Sequence, residues 1–160
     1  MIEMLGVLAI VGVLSAGGIA GYSMAMQNYK TTQLIDKMQL IATQVRAVYK
    51  GNYSDLSSFD NLISIGKIPD RNNPFGGYLG GKKLNDNVFF IVGSSIPPEA
   101  CVDVLQTDWG DRGMFEGIAV YEGDTRLQYF NYTQNTYPVD MTTSISICKG
   151  SDKKLHLDFK

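Results

Sequence analysis

Met1-Ile-Glu-Met-Leu-Gly-Val-Leu-Ala-Ile-Val-Gly-Val-Leu-Ser-Ala-Gly-Gly-Ile-Ala-Gly-Tyr22 is apolar almost throughout and carries one charged side chain, Glu3. About 20 such residues, at roughly 1.5 Å of helical rise each, reach roughly 30 Å, the thickness of a bilayer's hydrocarbon core. The stretch does not read as a secretory signal. No Lys or Arg precedes the apolar run, the first basic residue is Lys30, and the run flows into a helical pattern instead of a small-x-small cleavage site. Two readings of Glu3 stay open on residue physics alone. It is a carboxylate at the headgroup level of a simple anchor, or a functional acid where a charge costs up to about 3 kcal/mol.

Beyond Tyr22 the apolar residues become periodic. Leu34, Met38, Ile41, Val45 and Val48 follow a 4-3-4-3 spacing, widened by Ile35, Ala42 and Tyr49, with Gln33, Asp36, Lys37, Gln39, Gln44 and Arg46 between them. That pattern predicts an amphipathic helix with one buried face, stopping at Gly51-Asn52 after Lys50. No proline interrupts residues 1–50, so the expectation is one helix of about 50 residues and roughly 75 Å. Its first half (1–22) is apolar all round and its second half (23–50) is one-sided. Such a helix outruns the remaining head (51–160), so its first half must meet lipid or other copies of the chain.

Gly12, Gly17, Gly18 and Gly21 lie inside that first half, each costing about 1 kcal/mol against Ala in a helix interior. Gly17-x-x-x-Gly21 and Gly12-x-x-x-Ala16-x-x-x-Ala20 are small-residue patterns that let apolar helices approach closely. Alternatively, Ser15 to Gly21 is a weak spot where the helix stretches or unwinds. Both readings imply helical neighbours.

The formal net charge of −2 over 160 residues gives no basic field suited to nucleic acid. Cys101 and Cys148 are the only cysteines. An even pair in a chain that reads as exported suggests one disulfide, with two buried free thiols as the alternative. A bond would close a loop of nearly 50 residues, contribute about 4 kcal/mol, and tie a helix at 97–106 to a late strand.

The head reads as α+β, with the long helix laid on a mainly antiparallel sheet. Residues 52–86 form a long connection with a short helix at 58–64, where Phe59, Leu62 and Ile63 face inward. Pro69, Pro74, Gly76, Gly77, Gly80 and Gly81 are expected to enforce turns. A strand is expected at 87–93 and a helix at 97–106 with Cys101, Val104 and Leu105 on one face. A turn should follow at 108–113. Residues 115–121 and 127–132 suggest a hairpin around the four-residue Glu122-Gly-Asp-Thr125. Residues 144–148 and 155–159 suggest a second hairpin around Lys149-Gly-Ser-Asp-Lys153.

Catalytic patterns do not emerge. His156 is the only histidine and alternates with Leu155 and Leu157, as a solvent-facing strand residue would. No Cys/His spacing suits zinc, no Asp-rich loop suits calcium, and Gly76-Gly-Tyr-Leu-Gly-Gly81 lacks the lysine of a phosphate cradle. Asp108, Asp111 and Asp124 sit in turns, where carboxylates cap backbone amides. The expectation is a non-enzyme without cofactor or metal.

The apolar N-terminal helix with its early Glu3, its amphipathic continuation, the turn-rich connection, the sheet and the late cysteine pair together resemble a bacterial type IV pilin. Pro69, Asn73-Pro-Phe-Gly-Gly77 and Ala100-Cys-Val-Asp-Val-Leu105 look most like the type IVb major pilins. The resemblance implies the pilin fold, cleavage by a pilin-processing peptidase and storage in the inner membrane. It further implies polymerisation by an ATPase-driven machine into an extracellular filament of identical subunits with N-terminal helices inside. Glu3 would then neutralise the terminal amine of a neighbouring subunit. The family places this acid fifth, so the mature chain is expected to carry two further residues before Met1. Regular hydrogen bonding is expected to be lost between Ser15 and Gly21 in a filament. The rival readings are a secretion-system pseudopilin or minor pilin, and a monomeric membrane-anchored binding ectodomain.

Overall fold

The structure is a computed structural model that describes residues 2–160, apart from the side chains of Ile2, Glu3, Leu5 and Ala16. One helix, α1 (Ile2–Tyr49), runs for 48 residues. Its second half buries Leu34, Met38, Ile41, Ala42 and Val45 against the head. Val48 departs from the expected stripe and is 39% exposed. The last turn is docked instead by Tyr49, four residues beyond Val45, whose ring lies 6.3 Å from that of Tyr53. Lys50 and Gly51 then take positive φ angles of 50° and 86°, which turn the chain back at the helix end.

The rest of the chain forms α2 (Asp60–Ser64), β1 (Leu79–Asn85), β2 (Val88–Ile96) and α3 (Pro98–Gln106). These are followed by β3 (Phe115–Glu122), β4 (Thr125–Asn131), α4 (Met141–Cys148) and β5 (Lys153–Phe159). The strands make one sheet in the order β1-β2-β5-β3-β4, antiparallel at every pair. The last strand is therefore central. Phe159 pairs with Phe89 on one side and Phe115 on the other, and Leu157 with Ile91 and Ile118. Those side chains form the inner face and the core with α1 and α3. Gly93 leaves room for Met38: an added Cβ would lie 2.5 Å from the Met38 Cε. Arg46 ties the end of β5 to α1, donating from Nε to the Lys160 carbonyl at 2.9 Å with its guanidinium 5.2 Å over the Phe159 ring.

Three further expectations are corrected. First, Gly80 and Gly81 are not turn residues but part of β1, inside the expected connection. Gly81 sits where any Cβ would run into the Phe90 carbonyl and the Phe59 ring, so a strand next to α2 requires glycine there. Second, the β3–β4 hairpin turns more tightly than four residues. Glu122 pairs with Thr125, leaving Gly123 (φ 58°) and Asp124 at the tip.

Third, residues 144–148 are not a strand, so no second hairpin exists there. They belong to α4, whose N-cap Asp140 accepts the Thr143 amide at 3.0 Å. Ser144 is buried, donates its hydroxyl to the Asp140 carbonyl and accepts a hydrogen bond from Gln106 of α3 at 2.8 Å. The Ser-Ile-Ser-Ile alternation is thus a helix laid along α3. Cys101 and Cys148 are bonded, with Cα atoms 5.7 Å apart. The bond joins helix to helix, not helix to strand.

Candidate subunit-packing surface

The first half of α1 projects from the head, and only near Ile19 and Tyr22 do its described side chains come beside head residues, Phe75 and Pro97. Every described side chain in residues 4–25 is exposed, with Val13 75%, Leu14 68% and Ile19 72% exposed. By length and composition this helix can cross a membrane. Apolar surface left in water costs about 25 cal/mol per Å². A strip of this extent therefore requires lipid or the helices of other molecules around it.

Gly12, Gly17, Gly18 and Gly21 follow the same logic. No heavy atom lies within 4 Å of a Cβ added at any of them, so no contact inside the chain demands glycine. Their absence of side chains matters only to a neighbour that is not part of this chain, or to the helix's own pliability. Ser15 donates its hydroxyl back to the Val11 carbonyl at 2.7 Å, a bond that loosens and bends helices. The helix nevertheless continues through Ser15 and the four glycines. Glu3 sits in the first turn of α1, but its side chain lies outside the described residues, and its assembly role remains an expectation.

On the head, α1 and α3 cover the inner face of the sheet, while the outer face is open. His156 lies on this outer face as expected, yet it is half-buried between two rings. Phe90 stacks on it at 5.1 Å and 6°, and Tyr121 at 4.6 Å and 38°. Burial and the nearby Lys154 ammonium push the imidazole down to about 4, so it is neutral near pH 7. Beside it, Asp158 accepts the Tyr129 hydroxyl at 3.0 Å. Burial, aided by the charge of Glu116 and opposed by the Tyr129 bond, pushes the Asp158 carboxyl up to about 6. The partnership was not legible in the sequence, because it spans residues 29 apart that only the sheet register brings together. Among the described residues, no group of three His, Cys, Asp or Glu side chains could hold a metal ion.

No family model matches the chain. Over 95% of its length it is 23% identical to the major structural subunit of bundle-forming pilus of Escherichia coli O127:H6 (strain E2348/69 / EPEC), covering 87% of that protein. The subunit of the same name from Escherichia coli O111:H- is also 23% identical, with the same coverage of both chains. Among solved structures, TcpA, a type IV pilin from Vibrio cholerae El Tor biotype, superposes with a TM-score of 0.59 at 17% identity. That match covers 81% of this chain and 98% of TcpA. By that likeness, this chain's 48-residue helix half docked on an antiparallel five-stranded sheet is the type IV pilin fold.

Proposed function

We propose that this chain is a structural subunit of an extracellular type IV pilus, polymerising through the first half of α1. The observation that carries the reading is the apolar half of a helix whose described side chains are exposed, while the other half is anchored in a folded head. Its likeness to major structural subunits of bundle-forming pili, over nearly its whole length, points the same way. Before assembly the apolar half would sit in the inner membrane, where its length matches the hydrocarbon core. A processing peptidase and an assembly machine would deliver it from there. In the filament the same surface would be buried against copies of itself, with heads outside, and the biochemical role is packing without catalysis.

Glu3 fits this reading as the polar element of a dry core. A carboxylate there needs a partner, and the terminal amine of a neighbouring copy supplies one. Electron microscopy of material sheared from cells tests the proposal. Abundant thin filaments built mainly of this chain are expected. Glu3→Val should leave the protein in the membrane fraction while filaments become few or short. Wild-type filament yield from that variant would remove Glu3 from the mechanism. Filaments in which this chain is only a trace component would make it a minor pilin or pseudopilin, and a complete lack of filaments would favour an anchored ectodomain.

A further inference from the structure

The outer face of the sheet is not flat. Around Ala119, the smallest side chain at its level of the sheet apart from glycine, it forms an open cup of about 510 Å³. That is within the range of roughly 300–1,000 Å³ usual for ligand sites. Asp158 lies on its floor and is only 9% exposed. One of its oxygens, Oδ2, takes the Tyr129 hydroxyl. Among the described residues no donor reaches the other, Oδ1, although the side chain lines the cup.

The charges around the cup do not balance. Glu116 and Asp158 line it against a single cation, Arg126, which forms no ion pair among the described residues. The neighbouring Lys154 is already engaged with Asp124 at 2.8 Å. His156 is neutral near pH 7. Lys82, opposite Phe90 on β1, is exposed and outside the lining, so the lining itself carries one uncompensated negative charge in a half-enclosed site. The walls are aromatic: Phe90, Tyr121 and Tyr129. Tyr121 already holds the Lys154 ammonium 5.6 Å from its ring centre. Aromatic faces attract organic cations and make poor metal ligands, and the carboxylates alone are too few for a metal cage.

We propose that this cup binds a primary alkylammonium group, which lies among the rings and donates to Asp158 Oδ1 and Glu116. Burial, with the charge of Glu116 beside it, raises the Asp158 carboxyl, and an ammonium in the cup would draw it back down. The group could be carried by a free amine or by a lysine of a second copy of the chain. The proposal does not depend on the filament reading.

The test uses the full chain in detergent micelles at pH 7, titrated with n-butylammonium chloride, with n-butanol as the neutral control. Tyr129 ring resonances report by ¹³C NMR. A saturable shift is expected with the ammonium and not with butanol, lost in Asp158→Asn and weakened in Glu116→Gln. The absence of saturation in the wild type overturns the proposal, as does an unchanged titration in Asp158→Asn. Should Asp158→Asn lose its near-ultraviolet circular dichroism, Glu116→Gln decides alone, since that residue lies on a less buried position. Carbodiimide coupling of mixed ¹⁴N- and ¹⁵N-labelled chains then separates the two sources. An Asp158–lysine or Glu116–lysine bond between differently labelled chains identifies a second copy as the donor. Saturable butylammonium binding without that bond identifies a free amine.

Discussion

Tyr129 of β4 reaches across β3 to donate its hydroxyl to Asp158 of β5 at 3.0 Å, passing over Gly117. The glycine is what lets it pass. A Cβ at Gly117 would meet the Tyr129 hydroxyl at 2.8 Å and the Phe130 carbonyl at 2.5 Å. The tyrosine could swing away, but the carbonyl belongs to the β3–β4 ladder. Gly117→Ala is therefore expected to destabilise the head by about 1–3 kcal/mol, as overpacking does. Denaturant unfolding of wild type and variant checks it, and equal midpoints would contradict it.

Asp158 and His156, two residues apart on β5, pull stability in opposite directions with pH. The Asp158 carboxyl rises from 3.8 to about 6 on folding, so the folded state holds its proton longer and stability falls as pH climbs through that window. His156 drops from 6.5 to about 4, so the unfolded state binds the proton more readily and stability rises over nearly the same window. With only the carboxyl left to titrate, the stability of His156→Phe should itself fall from pH 4 to 7, by an order of 2–3 kcal/mol for a largely buried acid. With only the imidazole left, the stability of Asp158→Asn should itself rise over the same range, by less, because the imidazole is half exposed and solvent screens it. Thermal melts from pH 4 to 7 test this, and parallel curves for all three proteins would defeat it.

What could be read in advance depended on whether the deciding contact is local. The long helix was legible because its spacing repeats over consecutive turns. So was α3, with its early prolines and its Cys101, Val104 and Leu105 face. Strand β1 was hidden, since Leu-Gly-Gly-Lys-Lys-Leu-Asn contains no β-branched residue and its Gly81 answers to Phe59 and Phe90, neither of them a near neighbour in sequence. Helix α4 looked like a strand through its alternation, although Asp140 three residues before Thr143 was an available capping signal. The cup was invisible because Ala119, Asp158 and Tyr129 become neighbours only through register.

Lys153 is an ammonium with a side chain only 1% exposed, held at 2.8 Å by Glu122, which also accepts the Ser151 hydroxyl at 2.5 Å. Those two donors, Lys153 first, hold the Glu122 carboxyl below its usual range. Removing the anion strands a buried charge, whereas removing the cation leaves an exposed carboxylate free to hydrate. Glu122→Gln should thus lower the melting temperature more than Lys153→Met, whose stem still fills the core. The reverse order would show that Lys153 reaches water easily.

The disulfide links α3 to α4 across 47 residues. In the chain-entropy account, closing such a loop contributes about 4 kcal/mol. Cys101→Ser with Cys148→Ser is expected to lose a stability of that order, and hydrogen exchange should rise first in α4, which Ser144 and Gln106 then hold on α3 without the staple. Exchange rising equally in β5 and β2 would show that the bond secures the whole sheet instead.

The glycines of α1 lead to the last expectation. In the isolated subunit, helix geometry continues through Gly17 and Gly18, with no neighbour near either. Each glycine lowers helix preference by about 1 kcal/mol relative to Ala, and the Ser15 hydroxyl already competes at the Val11 carbonyl. Crowded among other helices, the segment between Ser15 and Gly21 can exchange local hydrogen bonds for closer packing and added length, because little holds it helical. We predict that in an assembled filament regular hydrogen bonding is lost there, and that Gly17→Ala with Gly18→Ala restores it while reducing filament yield. A filament reconstruction with an unbroken α-helix through Gly17 and Gly18 of the wild type would refute the idea, and would leave close helix packing as the reason for the glycines.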